Sequence, residues 1–211
     1  MIKVLIVDDH AIVRRGLKEL LTDEPDISVF EAGDAELAGE LIRKDRWDLI
    51  VLDLDLPGKS GLQLLDEVRR DSRSIPVLVL SVYPEEQFAV RTLRAGAAGF
   101  MSKDSAAEDL VAAIRRILSG GKHISQNVAE LLLVQTSAGS DARTGLHEKL
   151  SDREFEILRL FGCGKTVSVI ARELSISVPT VSTYRARILQ KMEMKTTAEL
   201  IRYAVQNRLV S

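Results

Sequence analysis

The chain has 211 residues, 45% of them apolar and 28% charged, with 29 Lys+Arg against 31 Asp+Glu and a formal net charge of −2. That length fits one large or two small domains with a core that needs no staples, and the composition excludes collagen, long coiled coil and wholesale disorder. The single cysteine, Cys163, excludes an internal disulfide framework and any multi-thiolate metal cluster. The start MIKVLIVDDH has too short an apolar run for a signal peptide, and no later segment reaches about 18 uninterrupted apolar residues. A soluble, cytoplasmic protein without a membrane partner is expected.

In chain order, the first part alternates strand and helix patterns. Strands are predicted at residues 2–7, 28–31, 49–52, 77–80 and 99–101, each followed by a run at helical spacing: 11–21, 35–44, 62–70, 85–95 and 108–118. Five strand–helix repeats with continuously apolar central strands indicate a parallel sheet covered on both faces, hence an α/β, doubly wound fold. Trp47 is expected to be a buried bridge between helix and strand. Residues 137–149 (SAGSDARTGLHEK) read as a mobile linker. Within a connecting stretch of 121–149, residues 126–135 can add one helix, packed on the first domain or extending the tether.

From Leu150 the pattern is all-α. Ser151-Asp152-Arg153-Glu154 is a capping box opening a helix to about Phe161, and a second helix covers 167–174. Ser177 caps a third helix to about Met192, with Val181, Ile188, Leu189 and Met192 inward; Thr197 caps a fourth over 198–206. Two helices, a three-residue turn and a longer helix with polar residues outward is helix-turn-helix spacing. Charge divides the same way: −6 over residues 1–149 and +4 over 150–211, the second part being suited to a polyanion.

In a parallel sheet the carboxyl ends of the strands line one crevice. Asp8, Asp9, Asp53, Ser81 and Lys103 stand there. Converging carboxylates repel one another unless a cation lies between them, and oxygen-only ligands suit Mg²⁺. An Asp nucleophile, a metal and Lys as charge stabilisers, and a Ser donor make a site for taking up a phosphoryl group. Asp34, Asp104 and Asp109 read as solvated loop acids. His10, His123 and His147 lack paired ligand spacing and read as surface or loop residues, and Cys163 as inert packing.

Residues 7–9 (VDD), 52–61 (LDLDLPGKSG), Ser81 and 99–103 (GFMSK) resemble the receiver domain of two-component response regulators, over about residues 1–120. The resemblance implies a flavodoxin-like receiver in which Asp53 accepts a phosphoryl group from a sensor histidine kinase or a small phosphodonor. Asp9 would ligate Mg²⁺ directly and Asp8 mainly through water, with Asp53 and the main-chain carbonyl of Asp55 completing the protein ligands. Ser81 would swing toward the phosphoryl group, Lys103 would pair with it, and Phe100 would occupy the aromatic switch position, where Tyr is common. Tyr83 and Pro84 would shape the kinase-facing or switch surface. The Asp53-Leu54-Asp55 step also occurs in haloacid-dehalogenase-like phosphatases, but there on the first strand; here it follows the third, and Leu56-Pro57 succeed it.

Residues 150–210 resemble the LuxR-type helix-turn-helix of the NarL/FixJ response regulators, and the run STYRARILQK resembles the GacA/UvrY branch. Ser182, Thr183, Ala186, Arg187 and Gln190 lie off the apolar stripe of the recognition helix 178–192 and meet base edges or phosphates; Arg185 and Lys191 are phosphate contacts, and Thr180 adds a hydroxyl or closes the cap. Residues 198–207 resemble the family's dimerisation helix, with Leu200, Ile201, Ala204 and Val205 on a short apolar stripe that also suits ordinary core. Together the resemblances imply no enzyme beyond self-phosphorylation and slow autodephosphorylation. They imply a transcription regulator whose phosphorylation favours a homodimer on double-stranded promoter DNA, with RNA polymerase as a further partner. Two other classes stand beside this reading: a phosphorylation-independent DNA binder with a structural receiver, and a signalling adaptor without DNA.

Overall fold

A computed structural model describes residues 1–70, 75–82, 85–137, 145–207 and 209–210. They form two compact units, Met1–Ser137 and a second lying within Ala138–Ser211. Among them no helix is long and apolar enough to cross a membrane.

The first unit is a five-stranded parallel sheet in the order β2-β1-β3-β4-β5, with β1 Ile2–Val7, β2 Ile27–Ala32, β3 Leu49–Asp53, β4 Val77–Ser81 and β5 Gly99–Ser102. Helices α1 Ala11–Thr22, α2 Ala35–Lys44, α3 Gly61–Arg70, α4 Glu85–Arg94 and α5 Ala106–Leu118 follow the strands in turn. Every residue of β3 and β4 is buried, as expected of central parallel strands covered on both faces. One core layer joins Val4, Ile6, Val51 and Leu80 of the sheet to Leu17 and Leu21 of α1 and to Leu110 and Ile114 of α5.

Trp47 is buried, its indole N–H donates to the Leu41 carbonyl at 3.0 Å, and its ring meets Phe30 of β2 edge-on, so it does bridge helix and strand. Asp34 does more than sit in a loop: it is the N-cap of α2, its carboxylate accepting from Leu37 N at 2.8 Å. The segment after α5 stays on the first unit. His123 makes a parallel bridge to Gly99, with Phe100 N donating to His123 O at 3.0 Å, and α6 Gln126–Ser137 packs against α4. His123 is therefore half-buried beside the sheet and not a free surface residue, and burial lowers its pKa.

Gly61 marks the closest backbone approach next to Asp53. A Cβ on Gly61 would stand 2.1 Å from the Asp53 carbonyl oxygen and 2.8 Å from Leu54 Cα, so only glycine lets α3 begin against the end of β3. Gly61→Ala is expected to cost about 3 kcal/mol or more by overpacking, read as a lower urea midpoint followed by Trp47, the only tryptophan.

The second unit holds a 3₁₀ turn at Leu146–Lys149, then α7 Asp152–Gly162, α8 Val167–Glu173, α9 Val178–Lys191 and α10 Thr197–Gln206. Of the predicted linker, Ser137 ends α6, residues 138–144 lie outside the described residues, and the 3₁₀ turn packs on α10 and α7: His147 Nδ1 lies 2.8 Å from the Tyr203 hydroxyl and its ring 5.7 Å from that of Phe155. His147 is thus a packed residue and not a loose one. Phe155, Leu158, Phe161, Ile170, Val181, Ile188 and Leu200 form the core.

Ser151 and Ser177 cap α7 and α9 as expected. The cap of α10 is Thr196, one residue earlier than predicted, because Thr196-x-x-Glu199 closes a full capping box: Thr196 Oγ1 accepts from Glu199 N while the Glu199 carboxylate accepts from Thr196 N. Cys163 is exposed at the end of α7, so it is not packing.

Candidate functional site

Three strand ends and the turn after a fourth deliver one pocket. Asp8 and Asp9 follow β1, Asp53 is the last residue of β3, Ser81 the last of β4, and Lys103 follows β5. Lys103 N donates to Ser81 O at 2.9 Å and Asp8 N to Ala32 O at 3.2 Å, so the sheet's own ladder continues into the pocket and fixes its walls. The Lys103 ammonium lies 2.7 Å from one oxygen of Asp53 and 2.7 Å from Asp8 Oδ2. Asp53 is 3% and Asp8 1% exposed. The second Asp53 oxygen accepts from Asp55 N at 3.2 Å, which places the Asp55 backbone beside the acceptor.

One ammonium thus serves two buried carboxylates. Burial is the main reason that the Asp53 carboxyl is raised to about 6, and the Asp8 charge adds to it, against the pull of Lys103. The same two carboxylates raise Lys103, outweighing its desolvation. Asp8 Oδ2 makes no well-aligned hydrogen bond; the Lys103 contact meets it obliquely. Asp8, Asp9, His10 and Asp53 bring one ligand atom each to within 4.8 Å of one another. An under-satisfied buried oxygen in an acidic, oxygen-rich set is a donor arrangement compatible with Mg²⁺.

Two residues of this pocket were missed by sequence reasoning. His10, read as a surface residue, places Nδ1 2.6 Å from Asp9 Oδ1 and donates its backbone N–H to Asp8 Oδ1 at 2.8 Å. Arg14 donates to the Asp8 carbonyl at 2.6 Å from one turn along α1. The i, i+4 step from His10 to Arg14 along α1 is the only trace of this pair in the sequence. Ser81 is fully buried and Phe100 is 1% exposed. Tyr83 and Pro84 lie outside the described residues.

In the second unit, α8 and α9 pack through the turn predicted for a helix-turn-helix; Val181 and Ile188 of α9 and Met192 at its C-cap are buried, whereas Leu189, expected inward, is only partly so. Thr183, Ala186, Arg187 and Gln190 are exposed, and Ser182 and Arg185 partly so. Thr180 closes the cap, its hydroxyl 2.7 Å from that of Ser177. Lys191, expected as a phosphate contact, is exposed and ion-paired with the buried Glu154 of α7 at 2.6 Å. Glu154 also accepts from Ser151 N, and these bonds hold its carboxyl below the ordinary range despite burial. Lys191→Met strips a buried carboxylate of its cation, with an expected cost of about 1–3 kcal/mol, read by thermal unfolding of the full chain followed through Tyr signals. Leu200 and Ala204 are fully buried where α10 packs on α7, so of the four stripe residues only Ile201 and Val205 reach the surface.

Residues 4–115 match the response regulator receiver domain and residues 148–204 the luxR family of bacterial regulatory proteins. The response regulator GacA of Pseudomonas aeruginosa is 36% identical over 212 residues, covering 100% of this chain and 98% of its own. UvrY of Escherichia coli is 31% identical, covering 99% and 96%. The chain belongs to the NarL/FixJ response regulators. Among solved structures, the RcsB response regulator of Salmonella typhimurium superposes with a TM-score of 0.72 at 25% identity, covering 97% of each chain. An RcsB–DNA complex superposes with 0.59 at 26%, covering 97% and 98%. This response regulator is accordingly a DNA-binding, two-component protein with a receiver and a helix-turn-helix unit, and the acidic pocket belongs to its receiver.

Proposed function

We propose that Asp53 is the phosphoryl acceptor of a cytoplasmic transcription regulator, and that its phosphorylation controls a dimer on promoter DNA. The observation that carries this reading is the junction of a buried Asp53 with the acids Asp8 and Asp9 around a single lysine, one ammonium facing two buried carboxylates. A nucleophile so placed lacks only counter-charge for the incoming phosphoryl oxygens. Mg²⁺ held by Asp9, Asp8, Asp53 and the Asp55 carbonyl would supply that charge, leaving Lys103 to stabilise another oxygen. The Asp53 oxygen forms the new O–P bond as the donor's P–N bond (a sensor kinase phosphohistidine) or P–O bond (a small acyl phosphate) breaks, and the donor departs with the electron pair. Ser81 donates to the transferred group and Phe100 packs behind it, repacking the face around residues 82–105. The regulator turns over no substrate beyond its own phosphorylation and slow autodephosphorylation.

On DNA, two copies present two α9 helices about one turn apart on a pseudo-palindrome. Ile201 and Val205 are the exposed part of the stripe available for pairing through α10, and Arg185, Arg187, Ser182, Thr183, Ala186 and Gln190 face the duplex. RNA polymerase is the downstream partner. The test is DNA affinity and oligomeric state with Mg²⁺, with and without beryllofluoride, for wild type and Asp53→Ala. Tighter binding and dimerisation in wild type alone are expected; two proteins that bind alike and ignore the mimic would refute phosphate control through Asp53.

A further inference from the structure

The outer side of α9 is less polar than its sequence suggests. Thr183 is exposed and its hydroxyl turns back to donate to the Pro179 carbonyl at 3.0 Å, so that the γ-methyl is the part of the side chain not tied to the backbone. The Thr180 hydroxyl is engaged with Ser177, and the Lys191 ammonium with Glu154. Val178, in the first turn of the helix, is 45% exposed, one of few large apolar side chains so open among the described residues. A lone exposed valine is ordinary. Its row is not: residues 178, 182 and 186 follow one another at i, i+4 and i+8, with 183 beside them. They carry an isopropyl, a small hydroxyl, a methyl and a second methyl. That row is about 12 Å long, which spans three to four base-pair steps of 3.4 Å.

We propose that Val178, the Thr183 methyl and Ala186 form an apolar strip that reads the C5-methyl groups of thymines in each operator half-site. This deepens, and rests on, the reading of α9 as the recognition helix. Thymine alone carries a methyl in the major groove, and alanine and threonine methyls are suitable partners for it. A short side chain at position 182 keeps the strip continuous, where a long cation would interrupt it. Arg185, Arg187 and Gln190 then supply the phosphate and hydrogen-bonding contacts around the strip.

The test uses the full chain with Mg²⁺ and beryllofluoride. A binding site is selected from a random duplex pool, and each thymine of it is then replaced singly by deoxyuridine, which removes the methyl alone. At two or three positions in each half-site the replacement is expected to weaken binding roughly threefold to fivefold, the worth of one buried methyl. Val178→Ala, which leaves the exposed helix start intact, should abolish the penalty at one of those positions and keep the others. Deoxyuridine tolerated everywhere, or penalties unchanged in Val178→Ala, would overturn the strip while DNA binding stands. A pool from which no sequence is enriched overturns the DNA-binding reading, and the strip with it.

Discussion

Asp53→Asn should take up no label from a radiolabelled phosphohistidine kinase or a small acyl phosphate, whereas wild type should acquire a hydroxylamine-labile phosphoryl group. Three carboxylates converge on the pocket, so the choice of acceptor needs a physical reason. Asp8 is buried under Lys103, and one of its oxygens already accepts the backbone N–H of His10. Asp9 is one-third exposed and paired with His10. Asp53 alone ends a central strand with one oxygen toward Lys103 and the other toward the Asp55 amide. At neutral pH a carboxyl raised to about 6 is mostly ionised, so the nucleophile is present. Label that persists in Asp53→Asn and vanishes only in Asp9→Asn would reassign the acceptor.

Without Mg²⁺, the same substitution should make the receiver more stable. An unfolded aspartate titrates near 3.9, and the folded Asp53 near 6. Between those values the folded chain keeps a proton that the unfolded chain has lost, so stability falls as pH rises through the window. Above 6 the full cost of the buried charge is present, about 3 kcal/mol. Asp53→Asn removes it, and its urea midpoint should exceed that of wild type at pH 8 in chelator, with the difference gone near pH 4. Added Mg²⁺ should narrow the gap by stabilising wild type only. Trp47 lies in the first unit and is the sole tryptophan, so its fluorescence reports this unfolding separately from that of the helical unit. Parallel curves at all pH values would show that Asp53 is not electrostatically strained.

Much of this fold is legible because buried parallel strands read as unbroken apolar runs: Leu49–Asp53 and Val77–Ser81 announce both their length and the residues at their ends. The pocket follows, since a parallel sheet gathers those ends on one side. What escaped are pairings with no local trace. Lys191 and Glu154 are separated by 37 positions, and nothing in the sequence of α9 says that its last cation has a carboxylate partner. Leu200 and Ala204 carry the same periodicity whether they face α7 or a partner, so a short apolar stripe leaves the two open. Thr196 against Thr197 was decidable from the Glu199 spacing, and the capping box resolves it. His10 is a surface residue as its lack of ligand spacing suggests, yet its contacts are with the two carboxylates immediately before it, which spacing rules for paired ligands do not register.

The bridge from His123 to Gly99 has a consequence for where this chain can be cut. β5 is the last strand of the sheet, and a terminal strand offers unpaired amides and carbonyls to any passing strand. Here Phe100 N and Ala98 O are occupied by His123, and α6 covers the neighbouring α4. A receiver truncated after Gly120 would bare that rim and invite strand-to-strand aggregation, while one carried through Ser137 brings its own cover and should stay dispersed.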